Sequence, residues 1–264
     1  MTLNAEDLSK EEAAGKYTVP AVDRAARIIL MLGTRTREMN LAEIAAATGY
    51  HKSSVHKILA TLSHHGFLDR NETTKRYSLG VALVRCGQAA LNNLQINRST
   101  KSCLKELADY SGETANLAVL SGTRMVIVDV IESAVELRVS PPIGTMDSVI
   151  NKSNGKAVLA FLPDSLVSTI IKREGLPART KNSVTSPKSY RSELTKVRKQ
   201  GYATDIEEFQ EGISAVSAPV FNSEGHVFAT LSIVGPAFRM TREKMRLYGE
   251  KCARVAAQLS PLMR

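Results

Sequence analysis

Cysteine is scarce in this 264-residue chain and poorly spaced for any covalent or metal framework. Cys86, Cys103 and Cys252 are scattered, odd in number and free of any CxxC pair, which argues against a disulfide scaffold or a zinc ribbon. They read as reduced cytosolic thiols, each packed on a helix. No run of 18 apolar residues occurs, so no transmembrane helix is expected. The opening MTLNAEDLSKEEAAGK is polar and acidic, without the apolar stretch of a signal peptide. The expectation is a cytoplasmic protein with a disordered arm over residues 1–16. Histidine is nearly confined to one segment: His51, His56, His64 and His65 lie together, leaving only His226 elsewhere. Nucleophilic catalysis of the Ser-His-Asp or Cys-His kind needs a histidine base, and His226 follows a hairpin-like turn where exposure is the default. No phosphate loop or dinucleotide fingerprint is present. His64-His65 lacks spaced partner ligands, and the acidic run Asp205, Glu207, Glu208 and Glu211 reads as a solvated loop contributing one pocket residue. No catalytic residue, metal ligand or cofactor is therefore assigned.

What is present is an ordinary globular composition with a basic bias. Hydrophobic residues make up 43% and charged residues 23%, and the length suits two domains. The formal charge is +9, which makes a polyanionic partner worth testing but says nothing of fold. Residues 1–16 carry a net −2, residues 17–80 a net +4 from nine basic and five acidic groups, and residues 81–264 a net +7. The whole of that +7 sits within residues 172–199, where nine Lys or Arg face two Glu.

Residues 17–80 read as three helices and a hairpin. Pro20 suits a first helical turn, and Ala21, Ala25, Ile28, Ile29 and Leu32 recur at helical spacing up to Gly33. Asn40 and Glu43 form a capping-box pattern ahead of Leu41, Ile44 and Ala45, and Gly49 is a natural stop. Val55, Ile58, Leu59 and Leu62 then make one apolar stripe. Two short helices joined by a Gly-containing turn are a helix-turn-helix. The face opposite the stripe carries Ser53, Lys57, Ala60 and His64, flanked by Lys52 and His56 on one side and Ser54 and Thr61 on the other. Lys and hydroxyl groups on an exposed helix suit a major groove, although a solvated helix face reads much the same. The strand-like Phe67–Arg70 and Arg76–Leu79 decide for DNA: they form a hairpin whose Arg70, Lys75 and Arg76 are placed as a phosphate-binding wing.

Residues 81–96 read as a linker helix with apolar content on more than one side, suited to packing against another helix. Beyond it lies an α+β domain over residues 97–264. A helix is expected from Ser99 to Tyr110, strands at Thr114–Leu120, Met125–Ile131 and Val135–Val139, and helices at Lys156–Leu162, Ser165–Glu174 and Pro187–Gln200. Strands at Tyr202–Asp205, Ile213–Phe221 and His226–Val234 and a final helix capped by Thr241 complete an antiparallel sheet with helices on one side.

These residues resemble the IclR family of bacterial transcriptional regulators. The likeness rests on VDRAARIILML, NLAEIAAATGYHKSSVHKILATLSHHGFLDR and RYSLG in the first part, and on NGKAVLAF and GYATDIEEFQEGISAVSAPVFNSEGHVFATLSIVGP in the second. The resemblance implies a winged helix-turn-helix, a linker helix and a GAF-like domain that binds a small metabolite, assembled as a dimer or tetramer on a pseudo-palindromic operator. It also places Ser153 and Asn154 at the effector's carboxylate, Asp205 as the family's pocket aspartate and Ser232 as the first of two pocket serines. Two positions depart from the pattern: Ala215 stands where many members have cysteine, and Val234 where the second serine is common. The pocket is thus more apolar there, and the expected effector is a small organic carboxylate, aromatic and branched skeletons included. Val139, Ile143 and Met146 are read as core residues before pocket residues. The alternatives are a metabolite-processing enzyme or a ligand-free dimerisation module fused to the DNA reader.

Overall fold

A computed structural model of the chain describes residues 18–35, 37–93, 98–150 and 152–262. They divide into two units, residues 18–93 and 98–262. The arm expected over residues 1–16 lies outside the described residues, as do residues 94–96 of the expected linker.

The first unit begins with α1 (Pro20–Gly33), opened by its proline. Strand β1 (Met39–Asn40) leads into α2 (Leu41–Thr48). The capping box forms as read: Asn40 Oδ1 accepts from the Glu43 N–H at 3.0 Å, and Glu43 Oε2 accepts from the Asn40 N–H at 2.9 Å. Gly49 closes α2 at φ 71°, a left-handed conformation that lets α3 (Lys52–His64) start three residues later. Ile28, Ile44, Val55 and Leu59 meet in a core with no solvent exposure. Strands β2 (Leu68–Arg70) and β3 (Arg76–Leu79) make the wing hairpin, and β1 adds to its β3 edge. Helix α4 (Ala82–Asn93) starts tied to this unit, with the Ala82 N–H donating to Gly66 O at 3.1 Å.

The second unit runs α5 (Arg98–Ser111), β4 (Thr114–Ser121), β5 (Arg124–Ile131), β6 (Met146–Ser148), α6 (Ser153–Leu159), α7 (Asp164–Glu174) and α8 (Pro187–Gln200). It continues with β7 (Ala203–Ile206), β8 (Ile213–Phe221), β9 (Val227–Pro236) and α9 (Arg242–Leu259). The six strands form one antiparallel sheet in the order β6-β5-β4-β9-β8-β7. Side chains alternate across it. Asn116, Ser232 and Ser217 stand in register on the face turned to α6, since the Ser217 hydroxyl lies 2.8 Å from that of Ser153. The intervening row of Ala115, Ile233 and Val216 faces the other way, where Cys252 of α9 meets Ile233. Helices therefore cover both faces, which corrects the one-sided arrangement expected. The signal was in β9: all ten of its residues are buried, as a strand covered on both sides requires.

Two further boundaries differ from expectation. Val135–Val139 is not a strand: the outer edge of β5 is paired with β6 over Arg124–Val126, and Val135 and Leu137 are exposed. The segment is held instead by Arg239, which donates to Leu137 O at 2.8 Å while pairing with Glu113. Helix α6 begins at Ser153 and carries Gly155 inside it. A Cβ at Gly155 would fall 2.0 Å from Val149 O, so this glycine marks a close backbone approach and not a helix start.

Candidate nucleic-acid interface and ligand pocket

On α3 the apolar stripe is buried and the opposite face is open. Lys52, Ser53, His56 and Lys57 are exposed, as are Ala60, Thr61 and His64. Ser54 is half-buried and accepts from Arg24 Nη1 at 3.1 Å, which braces α1 against α3. The Arg24 guanidinium also lies over the Tyr50 ring, 5.4 Å from its centre. Sequence reasoning left Arg24 on the first helix without a role.

The wing is built by Asn71, whose carboxamide accepts from the N–H groups of Thr73 and Thr74 at 3.0 and 2.9 Å. Lys75 follows at φ 55° and sits 3.0 Å from Glu72, and Arg70 lies 3.8 Å from the same carboxylate. Such exposed pairs are weak, about 0–1 kcal/mol, and exchange readily for a phosphate. Arg76 is different. Its guanidinium forks onto Glu43 at 3.1 and 3.2 Å and donates to Glu38 O at 2.7 Å. The side chain expected at a phosphate ties the wing to the capping box of α2 in this structure. Glu43 is accordingly held below the ordinary carboxylate range, first by the Asn40 N–H and then by Arg76.

In the second unit, Ser153, Asn154, Asp205, Ala215, Ser232 and Val234 all line one cavity of about 230 Å³ between the sheet and α6. Val139 also lines it, whereas Ile143 and Met146, expected in the core or the pocket, are exposed at 64% and 55%. A chain of buried hydroxyls crosses the floor, from Ser153 to Ser217 at 2.8 Å and from Ser217 to Ser232 at 2.7 Å.

Asp205 Oδ1 accepts from the N–H groups of Glu208 and Phe209 at 2.8 and 3.3 Å. Burial pushes its carboxyl up to about 6, against the opposing pull of the Glu208 N–H. The loop it anchors is not the solvated run expected. Glu208 is buried and receives the Lys156 ammonium at 2.7 and 2.9 Å, with Lys156 itself 1% exposed. Phe209 caps the cavity between two cations, Lys152 at 3.9 Å and Arg179 at 4.3 Å from its ring centre. Lys152 also pairs with Asp147 at 2.6 Å. Asn116, Lys152, Phe209 and Ser217 were missed as pocket residues. Phe209 and Ser217 lay inside the GYATDIEEFQEGISAVSAPVF motif to which the sequence pointed; Asn116 and Lys152 lay outside both quoted motifs of the second unit.

His226 is exposed and within 3.2 Å of Glu224. Among the described residues no cluster of His, Cys, Asp or Glu is placed to hold a metal, and no helix is long and apolar enough to cross a membrane.

A winged helix-turn-helix in one unit and a sheet domain with a lined cavity in the other define a two-unit transcriptional regulator. Comparison with known proteins agrees. Residues 21–72 match the IclR helix-turn-helix domain, and residues 88–261 match the bacterial transcriptional regulator IclR C-terminal domain. The HTH-type transcriptional regulator KdgR of Escherichia coli is 30% identical over 246 residues, 93% of each chain. The HTH-type transcriptional regulator XynR of Escherichia coli is 28% identical over 242 residues, 92% of this chain and 96% of its own. The crystal structure of an IclR transcriptional regulator from Alicyclobacillus acidocaldarius superposes with a TM-score of 0.82 at 30% identity, covering 92% of this chain and 98% of the other. The chain belongs to the IclR family of transcriptional regulators, which are not enzymes. DNA binding follows from the helix-turn-helix.

Proposed function

We propose that the protein is an operator-binding regulator whose DNA affinity is set by a small organic carboxylate held in the cavity of the second unit. The observation that carries this reading is the cavity, which all six residues transferred from the family pattern line together. Its wall is mixed: the buried serine hydroxyls offer hydrogen bonds to an anion, while Ala215 and Val234 accept a carbon skeleton. On the DNA side, Lys52, Ser53, His56 and Lys57 read bases and phosphates from the major groove, with Ser54 set by Arg24. Arg70 and Lys75 hold the wing on the backbone. A homodimer, or a tetramer built from dimers, places two such helices on a pseudo-palindromic site. The working place is the bacterial cytoplasm, where the operator is.

Effector binding changes operator affinity by the difference in its affinity for the two DNA-binding states of the protein. Gel shifts of the full-length protein on the DNA upstream of its own gene, run with a panel of carboxylates, test this. At least one acid is expected to move the midpoint about fivefold or more. Binding to that DNA with no response to any acid would favour a ligand-free dimerisation module.

A further inference from the structure

The cavity floor is a grid of two rows, and the grid carries more information than its members do singly. Across β4, β9 and β8, Asn116, Ser232 and Ser217 stand directly opposite one another. Two residues further along, Val234, Ala215 and Asp205 stand opposite one another on β9, β8 and β7. The first row is polar throughout. The second is apolar until it ends in the Asp205 carboxyl.

Asn116 is the unassigned group in this grid. It is 4% exposed, lines the cavity, and its carboxamide has no hydrogen-bond partner among the described residues. Its polar atoms are not among the sealed, unpartnered ones of the described residues; they open onto the cavity, where a ligand group would complete them. The neighbouring hydroxyl chain has a matching surplus. Three hydroxyls joined by two hydrogen bonds leave one O–H over, and a chain donating from Ser153 through Ser217 leaves it on Ser232, beside Asn116. Asn116 N–H and Ser232 O–H are then donors on directly opposed residues of neighbouring strands, where one acceptor would satisfy both. At the other end of the grid, Asp205 uses Oδ1 on two backbone N–H groups, and no described residue donates to Oδ2.

Three strand spacings separate Asn116 from Asp205, about 14 Å of backbone before the side chains reach inward. A three-carbon acid cannot touch both ends, whereas a ring-sized skeleton can. The cavity, at about 230 Å³, exceeds the roughly 150 Å³ that accommodates benzene in an engineered protein core.

We propose that Asn116 is a specificity-determining residue that, with Ser232, receives the carboxylate of a ring-sized acid lying over Val234 and Ala215 with a hydroxyl directed at Asp205. This deepens the effector reading above and rests on it.

Titration calorimetry on the full-length protein tests the assignment, with 4-hydroxyphenylacetate, phenylacetate and pyruvate as probes. The expected order of affinity is 4-hydroxyphenylacetate, then phenylacetate, then pyruvate. Asn116→Leu, similar in shape and without donors, is expected to weaken both ring acids about tenfold. Asn116→Asp keeps the shape and turns the donor into an acceptor, so it gives at least the same loss even if the leucine variant folds poorly. Ring acids binding both variants as tightly as wild type would overturn the role of Asn116. Pyruvate as the tightest ligand, or binding of none of the three, would overturn the ring-sized class. The gel-shift panel judges the broader carboxylate reading separately, because it includes acids of every size.

Discussion

The two units hold their functional residues in opposite ways. Of the eight residues assigned to DNA, six are exposed; the two half-buried ones, Ser54 and Arg76, are held by partners on other elements. Of the six assigned to the effector, five are buried and Ala215 is half-buried. A reader must leave its donors open to a partner that arrives whole, so its chemistry lies on one helix face. A pocket must desolvate what it holds, so the proposed sensor spreads these six residues over three strands and a short helix and depends on the core beneath them. The sensor is therefore the unit in which a single polar substitution threatens folding, and the reader the unit in which it alters binding alone.

That contrast can be broken by measurement, most strongly at Lys156. Lys156→Met strands the Glu208 carboxylate in the core and is expected to cost about 3–5 kcal/mol in chemical denaturation. The Lys156→Met, Glu208→Leu double variant should recover most of it, and failure to do so would mean the pair is not the source of the loss.

Asp205 comes next. Its folded-state carboxyl titrates near 6 against an ordinary 3.8, so the folded chain holds the proton longer than the unfolded chain. The resulting stabilisation is fully present below about pH 4 and is lost as pH rises to about 6. Asp205→Asn escapes that loss. Its stability relative to wild type should rise across this window by on the order of 2 kcal/mol, read from melting curves at each pH. A flat difference would place the carboxyl in a wetter site than the structure gives it.

The reader is expected to respond more gently and in binding. Lys57→Ala should weaken operator binding by about 1.5 kcal/mol while leaving binding to unrelated DNA nearly unchanged. Equal losses on both would make Lys57 a phosphate contact. Arg76→Ala is the exception that sharpens the comparison. It should lower the stability of the first unit by about 1 kcal/mol through the lost brace on Glu43, whereas Lys75→Ala should leave stability alone and reduce the salt slope of binding by about one.

Local rules were legible wherever the partner was close in sequence. The Asn40–Glu43 capping box, the Thr241 cap, the Val55 stripe and the wing hairpin all involve residues a few positions apart, and each formed. What stayed hidden depends on partners far along the chain. Arg76 meets Glu43 across 33 positions and Lys156 meets Glu208 across 52, so one looked like a free cation and the other carboxylate like part of a solvated run. Val135–Val139 failed as a strand because alternation alone supplies no pairing partner, and the strand that does pair with the outer edge of β5 is β6. The pocket was legible only through the family pattern. Asn116 lies on a strand that reads as core, and only the register with Ser232 shows that its side chain meets the cavity.

The basic bias is likewise sharpened. The Lys172–Lys199 block falls on α7, α8 and the segment between them, in the sensor unit. Arg198 there is already spent on the Ala160 carbonyl and Asp164. Net charge indicated an anionic partner, but most of that charge is not in the reader.

The central claim is that one ligand in the sensor and one DNA site on the reader act on the same equilibrium. Linkage makes this testable from the ligand side. The Kd of an acid active in the gel shift should be measured by calorimetry with the free protein and with the protein saturated by its operator DNA. The account predicts that the acid's Kd changes by the same factor, and in the same direction, as the operator's Kd changes on adding the acid. An acid that binds with one Kd whether or not the operator is present would contradict it.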